Sequence, residues 1–149
     1  MKIYLFLAVA GLCFLSAGCS RTGTPVEYAN MCDVANNHKT IAVVGFLDND
    51  GSAMCSNSAG GGPIECGIRF KNSLDSKEFV FAKITRGSWS SETENIEGEG
   101  LKIRDNNSEF ITRNQKVKIT ASVLVFTSTD PNKKPEGCSL SVDKIEKAQ

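Results

Sequence analysis

KVKITASVLVF, residues 116–126, sets Val117, Ile119, Ala121, Val123 and Val125 on alternate positions. A period of two places one side-chain set on one face of an extended strand, so the stretch predicts β-structure with a single buried face. A strand this long can bend and serve two edges of a barrel. Its neighbours read the same way. IECGIRFK (64–71) sends Ile64, Cys66, Ile68 and Phe70 to one side, with Glu65, Arg69 and Lys71 on the other. TIAVVGFL (40–47) is a nearly continuous apolar run with Gly45 where a bend fits. EFVFAKIT (78–85) carries apolar residues on both faces, and CSLSVDKIE (138–146) puts Cys138, Leu140 and Val142 on one. No long helical period and no internal repeat interrupts them, which predicts an all-β chain.

The connections follow from turn chemistry. DNDG (48–51) ends the first strand, and although it shares Asp48, Asp50 and Gly51 with calcium loops, Phe46 and Asn57 stand where ligands are required. LKIRDNNSEFIT (101–112) predicts a small hairpin turning at Asp105-Asn106-Asn107. SETENIE (91–97) has Ser91 and Glu94 in capping-box relation, so a short helix is expected there. Residues 31–39 suit a short helical turn or an irregular lead-in.

The order strand–strand–strand, irregular segment, strand–strand resembles an OB-fold. Gly45 lies where such barrels often bend their first strand. Asn114-Gln115-Lys116-Val117-Lys118-Ile119-Thr120-Ala121-Ser122-Val123 has the cadence of their fourth, with Asn114 and Ala121 at the two glycine places. The resemblance covers about 40–146 and implies a small OB-like β-barrel with an extra hairpin. Other small β-barrels and β-sandwiches share the same alternation. It also implies a ligand face on the outer side of strands two and three, with Arg69, Lys71 and Lys83 on it and Trp89 in the following loop. Such a face suits an extended glycan or peptide. Read plainly, the same residues are solvated charges and a tryptophan covering a barrel end. Fold alone does not transfer function.

The N-terminus answers a different question. In MKIYLFLAVAGLCFLSAGCS, Lys2 precedes an apolar run of about a dozen residues, shorter than the roughly 20 that span a bilayer. It suits a secretory leader. Ser16-Ala17-Gly18-Cys19 resembles the lipobox of bacterial lipoproteins. That resemblance implies cleavage before Cys19, acylation of its thiol, and anchoring at the outer membrane facing the periplasm, since Ser20 follows. The expected organisation is a signal peptide (1–18), a lipid-anchored flexible tether (19–31) and one β domain (32–149).

Of six cysteines, Cys13 leaves with the leader and Cys19 takes the lipid, so Cys32, Cys55, Cys66 and Cys138 remain. In an oxidising compartment an even count predicts disulfides, two here in one of three pairings. Cys55 and Cys66 flank a short glycine-rich loop that is cheap to close, which favours Cys55–Cys66 and leaves Cys32 with Cys138. Zinc is disfavoured without a C-x2-C pair, and no cofactor is expected.

The leader takes one lysine and no acid, so the 17 basic residues fall to 16 against 17 acidic ones. Near-neutral charge disfavours nucleic acid. The single His38 disfavours a histidine-based triad. Glu92, Glu94, Glu97 and Glu99 read as a solvated acidic loop rather than the rigid pair that glycoside hydrolysis needs. The expectation is a non-catalytic binding or assembly module held at the membrane by lipid, its partner an envelope protein, glycan or peptide. The alternative is an inhibitor or immunity-type lipoprotein that blocks an envelope-active enzyme such as a muramidase.

Overall fold

The computed structural model describes residues 22–48, 54–57, 64–85, 93–96, 100–112, 114–127 and 136–148. The expected leader, Cys19 and Trp89 lie outside the described residues. Ten strands follow in order: β1 (Thr24–Pro25), β2 (Thr40–Asp48), β3 (Met54–Asn57), β4 (Ile64–Lys71), β5 (Val80–Thr85), β6 (Thr93–Ile96), β7 (Gly100–Arg104), β8 (Phe110–Ile111), β9 (Lys116–Phe126) and β10 (Gly137–Lys147). Short 3-10 turns occupy Tyr28–Asn30 and Val34–Asn36, the second inside the segment expected to turn.

The alternation of 116–126 becomes β9, with all five of its odd-numbered apolar side chains buried. It does serve two edges. β2 pairs antiparallel with it from Thr40 opposite Ser122 to Phe46 opposite Lys116, and β10 pairs antiparallel along the other side. β10 then runs parallel to β5, β5 antiparallel to β4, and β4 returns to β2 through Phe46–Asp48. The ring β2–β9–β10–β5–β4–β2 is a closed, OB-like five-stranded barrel, which leaves few unpaired edges. β10 closes it with a bulge between Val142 and Lys144, where one extra residue increases the local bend.

Gly45 sits in β2 where the barrel wall is tightest. A Cβ there would stand 2.6 Å from the Phe70 ring, so no larger residue fits. Phe70, Ile41, Ile68, Ile84, Ile119, Leu140 and Ile145 fill the interior. Both disulfides form in the expected pairing, Cys32–Cys138 and Cys55–Cys66.

Two expectations need correction. Residues 24–31 are not tether. β1 lies parallel to β2 on the edge that β4 leaves open, and Met31 is only 2% exposed. The polar composition of 20–30 hid this, because β1 contributes backbone hydrogen bonds and the segment's apolar anchors, Val26, Tyr28 and Met31, lack any period. The expected helix over 91–97 is also not formed. Thr93–Ile96 pairs with β7, since so short a helix cannot repay its nucleation whereas a ladder beside an existing strand satisfies the backbone. Before the glycine-rich loop, β3 pairs with β4 and sets Cys55 directly opposite Cys66.

The extra hairpin is β7–β8, joined by β6 into a small second sheet. Its turn is held by the Asp105 carboxylate, which accepts from the backbone N–H of Asn107 and of Glu109, both at 2.9 Å. Ile103 and Ile111 enter the core from this sheet. Asn106 ties this turn to β10. The Asn106 amide oxygen accepts from the Ile145 N–H at 3.1 Å, and the Asn106 N–H donates to the Ile145 carbonyl at 3.0 Å.

Candidate functional site

Antiparallel partners share a face, so register shows which side chains stand together outside the barrel. Arg69 of β4 lies opposite Phe81 of β5, Phe81 beside Ser139 of β10, and Ser139 opposite Leu124 of β9. One step along, Gly137 faces Phe126. Because β10 contributes only glycine and serine to these rows, its side chains do not cover the large ones on either side. Phe79, Phe81, Leu124 and Phe126 are therefore 38–50% exposed. Phe79 and Phe81 meet edge to face with centroids 5.1 Å apart, and the Arg69 guanidinium sits 5.0 Å over the Phe79 ring. The result is an apolar strip with a cation at its edge.

The residues expected on this face divide. Arg69 is on the strip, tied to Phe79. Lys83 is exposed on the same face but ion-paired with Glu65 of the neighbouring strand at 3.0 Å. Lys71 does not take part: its ammonium pairs with Asp48, whose side chain is only 3% exposed. There it neutralises a buried carboxylate at the β2–β4 seam, which an unpaired Asp48 could not tolerate.

A second surface lies at the other end of β9. A groove of about 590 Å³ runs over β2, β9 and β10 and is walled by the chain's first described residues. Thr22, Gly23, Pro25, Val26, Glu27 and Tyr28 form one side, with Lys116, Lys118, Lys144 and Glu146 across from them. Both Glu146 oxygens are engaged, one by Lys144 at 2.8 Å and the other by Lys118 at 2.9 Å. These bonds, that of Lys144 foremost, hold the carboxyl below its ordinary range. Tyr28 divides this groove from a second hollow lined by Met31, Cys32, Ser76 and Phe79. Burial, and then the charge of Glu78, raises its phenol above the usual 10.0. Among the described residues no group of three or more His, Cys, Asp or Glu side chains could hold a metal ion.

No protein-family model matches the chain, and no curated protein sequence matches it. Among solved structures it is similar to an aspartyl-tRNA synthetase of Leishmania major Friedlin, at 10% identity and a TM-score of 0.46. The similarity covers 89% of this chain and 22% of the synthetase, so the chain spans about a fifth of that protein's length.

Sequence reasoning chose charged residues for the face and missed its apolar ones. The signal was present. Phe79 and Phe81 occupy the outward positions of EFVFAKIT, and Leu124 and Phe126 break the polar half of the alternation in 116–126. Large apolar residues at outward positions on two strands mark a contiguous patch only once the topology shows that one strand of small residues separates them.

Proposed function

We propose that this chain is a non-catalytic module, lipid-anchored through Cys19 to the outer membrane and facing the periplasm, that binds an envelope protein. The observation that carries this reading is the exposed strip Phe79–Phe81–Leu124–Phe126 with Arg69 at its edge. A soluble surface that keeps several large apolar side chains together gains by covering them, and aromatic residues beside an arginine are the side chains that most often dominate protein interfaces. The barrel beneath is closed and tied by two disulfides, so the strip is presented preformed and little ordering opposes binding. Near-neutral charge and the exported compartment turn the reading away from nucleic acid.

The test is photo-cross-linking in intact envelopes from a probe at position 124, with and without Phe81→Ala. A partner adduct that weakens at least tenfold with Phe81→Ala supports the strip. An adduct that is unaffected removes it from the interface.

The inhibitor reading keeps one specific support. Cys55–Cys66 joins directly opposed residues of β3 and β4, clamping the hairpin that carries the glycine-rich connection. An inhibitor using that loop would lose its one-to-one complex when residues 56–65 are replaced, while Phe81→Ala would leave the complex intact.

A further inference from the structure

We propose that the lysine groove over β2, β9 and β10 binds the phosphate groups of anionic lipids in the bilayer to which the chain is anchored. This rests on the lipid-anchor reading and gives the anchored domain a defined orientation.

The groove's chemistry is unbalanced towards donors. Lys118 and Lys144 share the one carboxylate of Glu146, and each ammonium has three N–H donors, so both retain donors after that contact. Lys116 forms no ion pair among the described residues. Glu27 is the other carboxylate of the lining, which leaves three ammonium groups against two carboxylates. The ligand that satisfies such a site brings oxygen acceptors and negative charge. Pro25, Val26 and Val44 add an apolar rim, suited to the region just beneath a headgroup rather than to a free ion.

Position selects the source of those phosphates. Thr22 and Gly23, on the groove wall, are where the described chain begins, and only Ser20 and Arg21 separate Thr22 from Cys19. Three residue steps reach at most about 11 Å. The groove rim is therefore held within about one and a half Debye lengths of the lipid surface at physiological salt, where part of its field still acts on headgroups.

The test uses the full lipidated protein reconstituted into vesicles of phosphatidylcholine alone or with added phosphatidylglycerol. Lysine acylation by a water-soluble reagent is then read at each site by mass spectrometry. Lys116, Lys118 and Lys144 are expected to react several-fold more slowly in the anionic vesicles, while Lys39 and Lys77 react equally in both. High salt should abolish the difference. Lys116→Glu should reduce the protection of the other two by about fivefold, as expected for a lysine near an anionic surface. Glu146→Gln should increase protection, because it frees Lys118 and Lys144. A merely structural Glu146 would give no such gain.

Equal rates in the two vesicles overturn the proposal. So does protection by inorganic pyrophosphate in neutral vesicles without any effect of phosphatidylglycerol, which would make the groove a site for a soluble phosphate. Failure to float with neutral vesicles is a separate result that removes the anchor. Flotation with anionic vesicles, lost in Lys116→Glu, then supports the groove by itself, and its absence overturns it.

Discussion

Both open ends of the barrel are closed by segments that are not barrel strands, and they are closed by different chemistry. Where β9 finishes and β10 begins, residues 22–39 cross the opening as a strap with almost no ladder of its own. It is fixed by the Cys32–Cys138 disulfide, by Met31 inserted into the core, and by scattered polar contacts. Among these the Asn37 side-chain oxygen accepts from the Val125 N–H at 3.0 Å, and the Tyr28 hydroxyl donates to the Phe70 carbonyl at 2.9 Å. At the opposite end the β6–β7–β8 sheet satisfies its own backbone and docks with Ile103 and Ile111. A segment that can build a ladder needs only an apolar face to seal the barrel. One that cannot is held covalently.

Breaking each closure should therefore give different costs. The largest belongs to the strap. Cys32 and Cys138 are 106 residues apart, and a crosslink over so long a loop restricts the unfolded chain by about 4–5 kcal/mol. Replacing both with alanine should lower the urea midpoint by a corresponding amount. The Cys55–Cys66 crosslink spans 11 residues and should cost about 3 kcal/mol or less. If the short crosslink proved the more stabilising, covalent closure of the strap would not be what secures that end.

At the sheet end the equivalent experiment is Ile103→Ala. It removes a side chain that is almost wholly buried and should cost about 2–5 kcal/mol through lost transfer energy and the cavity left behind. Amide exchange should then quicken in β7 and β8 before it does in residues 24–31. A uniform loss of protection would show that the two closures are one cooperative unit. Asn106→Ala comes next, at about 1–3 kcal/mol, since it leaves the buried Ile145 N–H without its acceptor. Its effect should centre on the β10 bulge. A thermal midpoint unchanged by this substitution would mean that the sheet is sealed by apolar contact alone.

How much of this was legible depended on the range of the forces involved. The barrel strands could be read because burial alternates at a fixed local period, as in Val117, Ile119 and Ala121 or Ile68 and Phe70. The closures could not. Tyr28 meets Phe70 across 42 residues, and Asn106 meets Ile145 across 39, so no local pattern announces either contact. The disulfides were readable because cysteine count and loop length limit the choices. The apolar strip falls between these cases. Each outward Phe or Leu was visible, but their adjacency depends on β10 lying between β5 and β9 with Gly137 and Ser139 in the intervening positions.

The smallest effect tests the strap most directly. Tyr28→Phe deletes one partly buried hydrogen bond and should cost about 1 kcal/mol. Its pH dependence is more informative. The folded phenol titrates above 10.0, raised by burial and by Glu78. Between that value and the raised one the unfolded chain releases the proton and the folded chain keeps it. The stabilisation is therefore complete below pH 10.0 and is lost as pH rises through the folded pKa. The only other tyrosine, Tyr4, precedes Cys19, so in a chain cleaved before Cys19 tyrosinate absorbance would report Tyr28 alone. The absorbance midpoint should fall towards the ordinary value when urea releases the strap, and the alkaline loss of stability should shrink in Tyr28→Phe. An absorbance midpoint already at the ordinary value in the folded protein would place Tyr28 in solvent, and the strap would then close the barrel through Cys32 and Met31 without it.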